Sequence, residues 1–240
     1  MAQAKKAPKG SNLKSFYLVL GALALIGVVA IAWVVVKNKT SKAAMEPVAV
    51  EGAQDPSKLV EKAQGVTYGQ STAPVKMLVF SDYMCPYCGS YAAQVEPTLI
   101  SEFVNTGKMQ YVFYDYPLGG AHKYSFLAAR TARCAGDQKK FHEYHDLLFG
   151  KQSDWSFDES APVGKFLDYG KEVGVADANG FKQCVQSDKY ADIVSANHAL
   201  GEQLGVNATP TLYINGKKVP VDLVLDIAKL REIINKEAGL

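Results

Sequence analysis

The chain has 240 residues, with 26 Lys and Arg, 24 Asp and Glu, and a formal charge of +2. This length allows one domain of ordinary size with a full core. The charge is uneven, because residues 1–44 hold seven of the basic residues and no acidic residue. The remainder carries 19 basic and 24 acidic residues. This balance excludes a nucleic-acid-binding surface, and the basic start of the chain indicates contact with a membrane.

The first 64 residues predict an anchored protein. Residues 1–15 are basic and polar, and we expect them in the cytoplasm. Residues 16–36 contain no charge, and a helix of 21 residues spans about 30 Å, the thickness of a bilayer core. Residues 37–64 are predicted to be an extracytoplasmic linker. A cleaved signal peptide is the alternative, but its apolar core is usually about 7–15 residues.

The chemistry is predicted at Cys85-Pro86-Tyr87-Cys88. An apolar strand, residues 75–80, precedes it and a helix, residues 89–104, follows it. A thiol in the first turn of a helix ionises more easily, because free N–H groups and the helix dipole stabilise an anion there. We expect Cys85 to be the exposed thiolate and Cys88 the deeper, resolving thiol. Half of a zinc site is the alternative, but it requires a second pair of ligands.

The remaining elements alternate between strands and a long helical region. Residues 109–114 are predicted to form a strand parallel to the first. Thr211–Ile214 is predicted to pair with a short strand through the turn Asn215-Gly216, and Asp222 to cap a closing helix. The predicted helices between these strands are 123–135, 138–149, 161–173, 177–186 and 189–204.

Four segments in this order resemble DsbA-like thiol–disulfide oxidoreductases of the thioredoxin superfamily. The segments are Phe80–Cys88, Tyr111–Leu118, Cys134–Gln138 and Gly205–Thr211. The resemblance covers residues 65–240 and implies an α/β (α+β) thioredoxin fold with an inserted all-helical subdomain at about 119–205. It also implies that Pro210 is cis beside the cysteines, and that the backbone of Thr209 binds an extended substrate peptide.

The other candidate residues lie outside the Cys85–Cys88 motif. Cys134 and Cys184 are predicted to form a structural disulfide in an oxidising compartment, with two buried free thiols as the alternative. Many relatives carry a buried Glu six residues before the first cysteine, where this chain has Val79. Asp82 is a candidate proton relay in its place, although we expect it nearer the surface. No metal site is predicted, and His122 has no identifiable partner.

The predicted function is an extracytoplasmic oxidase that needs no cofactor besides its redox-active disulfide. A substrate thiolate is expected to attack the Cys85–Cys88 disulfide and displace Cys85. The expected substrates are unfolded or reduced extracytoplasmic proteins, and the resemblance implies reoxidation by a quinone-linked membrane partner of the DsbB or vitamin-K-epoxide-reductase type. The alternatives are a reductase or isomerase, for example in cytochrome maturation, and a tethered peptide-binding or chaperone module whose cysteines are structural.

Overall fold

The computed structural model describes residues 17, 18, 20–29, 45 and 47–239. The chain divides into two units, residues 1–41 and 42–240. Residues 17, 18 and 20–29 of the first unit are helical, whereas the rest of the predicted anchor and the predicted cytoplasmic segment 1–15 lie outside the described residues. Among the described residues, no helix is both long enough and apolar enough to span a membrane.

The second unit is built on a mixed five-stranded sheet. The strands are β1 (Val66–Tyr68), β2 (Val75–Ser81), β3 (Met109–Asp115), β4 (Thr211–Ile214) and β5 (Lys217–Lys218), in the spatial order β1-β3-β2-β4-β5. Strands β2 and β3 are parallel, with Val75 opposite Met109 and Ser81 opposite Asp115. The other three pairs are antiparallel. The predicted parallel pair and the predicted β4 strand are confirmed.

Strand β2 is apolar apart from the exposed Lys76 and from Ser81 at its end, because both faces of the sheet are covered. Met77 and Val79 belong to the larger core, which includes the active-site helix and most of the inserted helices. Phe80 points to the opposite face, where it packs with Leu59 and Leu200 in a second cluster. The central position of β2 therefore fixes the place at which its carboxyl end, and the cysteines after it, emerge.

The sequence predicts one helix after the cysteines, with a kink at Pro97. The structure has three consecutive helical pieces there. Helix α1 (Pro56–Lys62) lies earlier in the chain, and the pieces here are α2 (Pro86–Gln94), α3 (Glu96–Leu99) and a π-helical turn (Ile100–Val104). Pro97 is the second residue of α3 and has no N–H to donate to the preceding turn, so the helix is interrupted just before it, at Val95.

Six helices connect β3 to β4 and confirm the helical insertion. They are α4 (Ser125–Gly136), α5 (Phe141–Gly150), α6 (Gln152–Trp155), α7 (Val163–Glu172), α8 (Ala178–Val185) and α9 (Ala191–Gln203). Helix α9 lies within the predicted subdomain range, but its residues Ala196 and Leu200 pack with Phe80 against the second face of the sheet. This helix therefore belongs to the layers of the thioredoxin fold rather than to a separate helical body.

At the ends of the second unit, the structure shows order within the predicted linker and corrects one predicted helix cap. The predicted linker 37–64 is partly structured, since α1 buries Leu59 completely and the backbone N–H of Val48 donates to Ser195 Oγ at 3.0 Å. The closing helix α10 (Ile227–Ala238) begins after Asp226, whose carboxylate accepts from the N–H of Lys229 at 3.0 Å. Asp222 lies instead in a short 3₁₀ turn. Asp222 and Asp226 are equally suited to cap a helix by residue type, and only packing selects between them.

Candidate active site

The two cysteines lie where β2 gives way to α2. Cys85 is the N-cap of α2 and Pro86 its first residue, a position at which the missing N–H costs nothing. Cys88, one turn later, is fully buried, as the sequence predicts. Cys85 is only 6% exposed, so the expectation of a freely exposed thiolate is wrong.

This burial also corrects the predicted order of attack. An incoming thiolate needs access to the sulfur that it attacks. Cys88 is completely shielded, whereas Cys85 keeps some exposure. Attack on a Cys85–Cys88 disulfide is therefore possible only at Cys85, and it would displace Cys88 rather than Cys85.

The surroundings separate the ionisation of the two thiols. The pKa of Cys85 is lowered to about 6 by a hydrogen bond from the Cys88 thiol, assisted by Thr209 and by the N–H groups of Tyr87 and Cys88, while burial opposes the shift. The pKa of Cys88 is raised well above its usual value by burial and by the nearby Cys85. The site therefore holds a thiolate at Cys85 and a neutral thiol at Cys88 near neutral pH.

The segment before β4 closes the site on the opposite side. The peptide bond between Thr209 and Pro210 is cis, as the resemblance implies. The Cys85 sulfur lies 3.3 Å from the carbonyl oxygen of Thr209, to which its protonated thiol form donates, and the two residues are 124 positions apart. The backbone of Thr209 thus lies beside the Cys85 sulfur.

The sequence predicts that Asp82 lies near the surface. This prediction is wrong, because Asp82 is only 1% exposed. Its backbone N–H donates to the sulfur of Cys88 at 3.5 Å. Its carboxylate accepts from Ser125 Oγ at 2.5 Å and from His122 Nδ1 at 2.9 Å. His122, which lacks an identifiable partner in the sequence, therefore pairs with Asp82 across 40 positions.

Gln152 and Tyr87 also contribute to the site, and no sequence pattern predicts the role of Gln152. Gln152 Nε2 donates to the carbonyl oxygens of Tyr83 at 2.8 Å and Cys85 at 3.0 Å, which fixes the active-site loop to α6. Tyr87, between the two cysteines, is 68% exposed and forms an apolar rim. A lone Gln in a helical region carries no pattern that would reveal such a role.

The other pair of cysteines forms a disulfide. Cys134 on α4 and Cys184 on α8 are joined with a Cα–Cα distance of 5.8 Å, across a sequence separation of 50. Cys134 is buried and packs within the insertion. The bond links two helices of the insertion and leaves Cys85 and Cys88 as the free thiols among the described residues.

A family model described as thioredoxin, Thioredoxin_4, matches residues 61–236. The chain belongs to this thioredoxin family. Its similarity to disulfide bond formation protein D of Bacillus subtilis is 28% identity over 171 residues, covering 70% of this chain and 75% of that protein. The crystal structure of oxidised BdbD from Bacillus subtilis superposes with a TM-score of 0.65 and 25% identity, covering 75% of this chain and 95% of BdbD.

A second kind of relative is much longer than this thioredoxin-family chain. The chain is 30% identical over 170 residues to the Na(+)/H(+) antiporter NhaA 3 of Salinispora tropica, which covers 71% of this chain but 24% of the antiporter. The chain thus spans about a quarter of the length of that relative. Across the domain itself, the chain is similar in sequence to disulfide bond formation protein D and in fold to BdbD.

Proposed function

We propose that the protein is an extracytoplasmic thiol–disulfide oxidoreductase that oxidises the thiols of substrate proteins. The observation that carries this proposal is the asymmetric dithiol. Cys85, at the start of α2, has a pKa of about 6, and Cys88 is completely buried. A dithiol whose reduced form contains a stabilised thiolate gives up its disulfide readily, because the leaving sulfur is a good leaving group.

The proposed exchange proceeds in two steps. A substrate thiolate attacks the Cys85 sulfur of the Cys85–Cys88 disulfide, and Cys88 leaves and takes up a proton. A second substrate thiolate then attacks the substrate sulfur of the mixed disulfide, and Cys85 leaves as a thiolate. The substrate has lost two electrons and gained a disulfide, and the enzyme pair is reduced. The proposed exchange needs no dissociable cofactor and no metal.

Recognition in this proposal depends on backbone contacts. Thr209 precedes cis-Pro210 and its backbone lies beside the Cys85 sulfur. An extended peptide bound through main-chain hydrogen bonds is accepted largely without regard to sequence. The exposed Tyr87 adds an apolar surface next to Cys85. These features suit unfolded or reduced proteins as substrates.

The proposed location is the outer face of a cell membrane. Residues 16–36 would form the anchor, residues 1–15 would lie in the cytoplasm, and the catalytic domain, residues 65–240, would lie outside. The Cys134–Cys184 disulfide supports an oxidising compartment. A quinone-linked membrane partner of the DsbB or vitamin-K-epoxide-reductase type would reoxidise the pair, and anchoring would raise the effective concentration of the two proteins.

The deciding experiment is the equilibrium reduction potential of the Cys85–Cys88 pair against glutathione, measured on the full chain in detergent with the Cys134–Cys184 bond verified by mass. Thioredoxin-fold proteins range from about −270 mV for a reductant to about −120 mV for a strong oxidant. We expect a value in the upper half of this range. A value near −270 mV would overturn the oxidising direction and favour a reductase.

The same preparation separates catalysis from simple peptide binding. Replacement of Cys85 by Ser should abolish oxidation of a reduced, unfolded substrate protein. A peptide-binding or chaperone module with structural cysteines would keep its effect on that substrate. Retained function in Cys85→Ser protein would therefore refute the enzymatic proposal itself.

A further inference from the structure

Asp82 is a fully buried carboxylate that the proposed exchange does not use. Besides Ser125 and His122, the backbone N–H of Met84 donates to Oδ1 at 2.6 Å and that of Leu118 to Oδ2 at 2.8 Å. Four donors thus converge on one carboxyl group in the interior. Hydrogen bonds to an ionised acceptor are shorter and stronger than neutral ones, and this set is arranged around such an acceptor.

His122 connects this buried group to solvent. Its side chain is 22% exposed, whereas that of Asp82 is 0% exposed. The backbone around it is fixed, since the N–H of His122 donates to Gly119 O at 2.9 Å and its carbonyl accepts from the N–H of Ser125 at 3.1 Å. Gly119 has a φ of 65°, which allows the chain to turn back toward Asp82. Because Nδ1 is held by Asp82, Nε2 is the ring nitrogen left for exchange with water.

The pair also lies beside the dithiol. Asp82 contacts the Cys88 sulfur through its backbone N–H and His122 through its carboxylate. Val79 on β2, three residues before Asp82, supplies no acid–base group, because it is apolar and fully buried between Phe113 and Leu212 on the neighbouring strands. Asp82 and His122 place a carboxylate and an imidazole next to the Cys88 sulfur.

We propose that Asp82 and His122 form the acid–base pair of this active site, in which protonated His122 stabilises the Cys85 thiolate and Asp82 is the residue that positions the imidazole. The inference rests on the proposed thiol–disulfide exchange. It adds a histidine of the inserted region to the Cys88 thiol, Thr209 and the N–H groups at the start of α2, which also stabilise the Cys85 thiolate. His122 exchanges the proton with solvent, and Asp82 keeps the ring in place in both states.

The electrostatics of the site agree with this assignment. The pKa of His122 is raised by its hydrogen bond to Asp82, while burial opposes the shift and the charges of Asp82 and Cys85 reinforce it. The other charged groups on the surrounding segments have partners of their own. The Lys123 ammonium lies 4.6 Å from the centre of the Tyr124 ring, and Asp158 pairs with Lys165 at 2.9 Å.

The stabilisation of the Cys85 thiolate depends on pH through the charge of His122. A histidine with a raised pKa is charged below that pKa and loses its charge as the pH rises through it. The stabilisation of the Cys85 thiolate is therefore greatest between the pKa of Cys85 and that of His122. It disappears at alkaline pH, where His122 is neutral.

The test compares His122→Gln, His122→Lys and wild type in the full chain with the Cys134–Cys184 bond intact. Thiolate absorbance gives the pKa of Cys85, and the glutathione equilibrium is measured at pH 7 and pH 9. His122→Gln should raise the pKa of Cys85 by about one unit. It should lower the equilibrium constant for oxidation of glutathione about fivefold at pH 7, which corresponds to about 20 mV, and less than twofold at pH 9.

The lysine variant distinguishes charge from shape. Lysine keeps a positive charge to high pH, so His122→Lys should restore the low pKa of Cys85 and retain the effect at pH 9. His198→Gln is the matched control, because His198 is half-buried on α9 and its ring stacks on that of Tyr116 with 4.4 Å between the ring centroids. Cys85 in this variant should titrate as it does in wild type. An unchanged titration in His122→Gln, or equal shifts in the Gln and Lys variants, would overturn the proposal.

These outcomes are independent of the direction of the proposed reaction. If wild type has a potential near −270 mV and His122→Gln lowers it further, the pair is supported although the oxidase proposal fails. If wild type is strongly oxidising and His122→Gln has no effect at either pH, the oxidase proposal survives and this inference does not.

Discussion

Removal of the Cys134–Cys184 disulfide should cost the domain a large part of its stability. The bond closes a loop with a sequence separation of 50. The chain-entropy relation gives about 4 kcal/mol for a loop of this length, since the crosslink reduces the freedom of the unfolded chain. Folded domains are stable by about 5–15 kcal/mol, so the double variant Cys134→Ala/Cys184→Ala should be folded but marginal.

The measurement is equilibrium unfolding in urea, followed by the fluorescence of Trp155, which is fully buried in the insertion. Both proteins should carry Cys85→Ser and Cys88→Ser, so that the structural bond is the only disulfide that differs. With a urea m-value of about 2 kcal/mol/M, the midpoint should fall by about 2 M. A decrease of the midpoint by less than about 0.5 M would refute the reasoning, because it would mean that the bond does not restrict the unfolded chain as calculated.

Two further predictions concern the thiol and the buried ion pair. Alkylation of reduced protein at Cys85 should follow a titration with a midpoint near pH 6, because only the thiolate reacts and its pKa is lowered to about 6 by the Cys88 thiol, Thr209 and the start of α2. Arg133→Met should lower the free energy of unfolding by about 3–5 kcal/mol, measured by urea unfolding, because it leaves the buried Asp115 carboxylate without the guanidinium that donates to it at 2.5 Å.

Each of these predictions has its own control. A midpoint near pH 8.5, the value of a free cysteine, would contradict the alkylation prediction. For the ion pair, Asp115→Asn added to Arg133→Met should recover part of the lost stability, because it removes the uncompensated charge. A double variant as unstable as the sum of the two single variants would show that the pair acts independently rather than as a unit.

Features encoded within a few residues could be predicted from the sequence. The apolar run of β2, the start of a helix after Cys85 and the turn at Asn215 and Gly216 all follow from local preferences, and Asn215 and Gly216 have the positive φ values of 45° and 77° that such a turn requires. The cysteine pair and its separation into a reactive and a buried thiol follow from the same local geometry.

Features that depend on distant parts of the chain could not be predicted. His122, which pairs with Asp82, is 40 residues away, in the loop before α4. Gln152 reaches the active-site loop from 67 residues further along the chain. The carbonyl oxygen of Thr209, which contacts the Cys85 sulfur, is 124 positions away. Periodicity describes one segment at a time, whereas these contacts depend on how segments pack.

The two edge strands limit where an extended chain can pair with the sheet. An open sheet edge is a template on which any extended chain can add a strand, and this is a route to aggregation. Here β5 consists of two exposed lysines, and β1, at the other edge, has three residues. Neither edge offers a long row of unpaired backbone groups, and the lysines repel a second copy of the same edge. In the proposed function, an unfolded chain pairs with the backbone beside Thr209, and the two short edges of the sheet offer little competition for it.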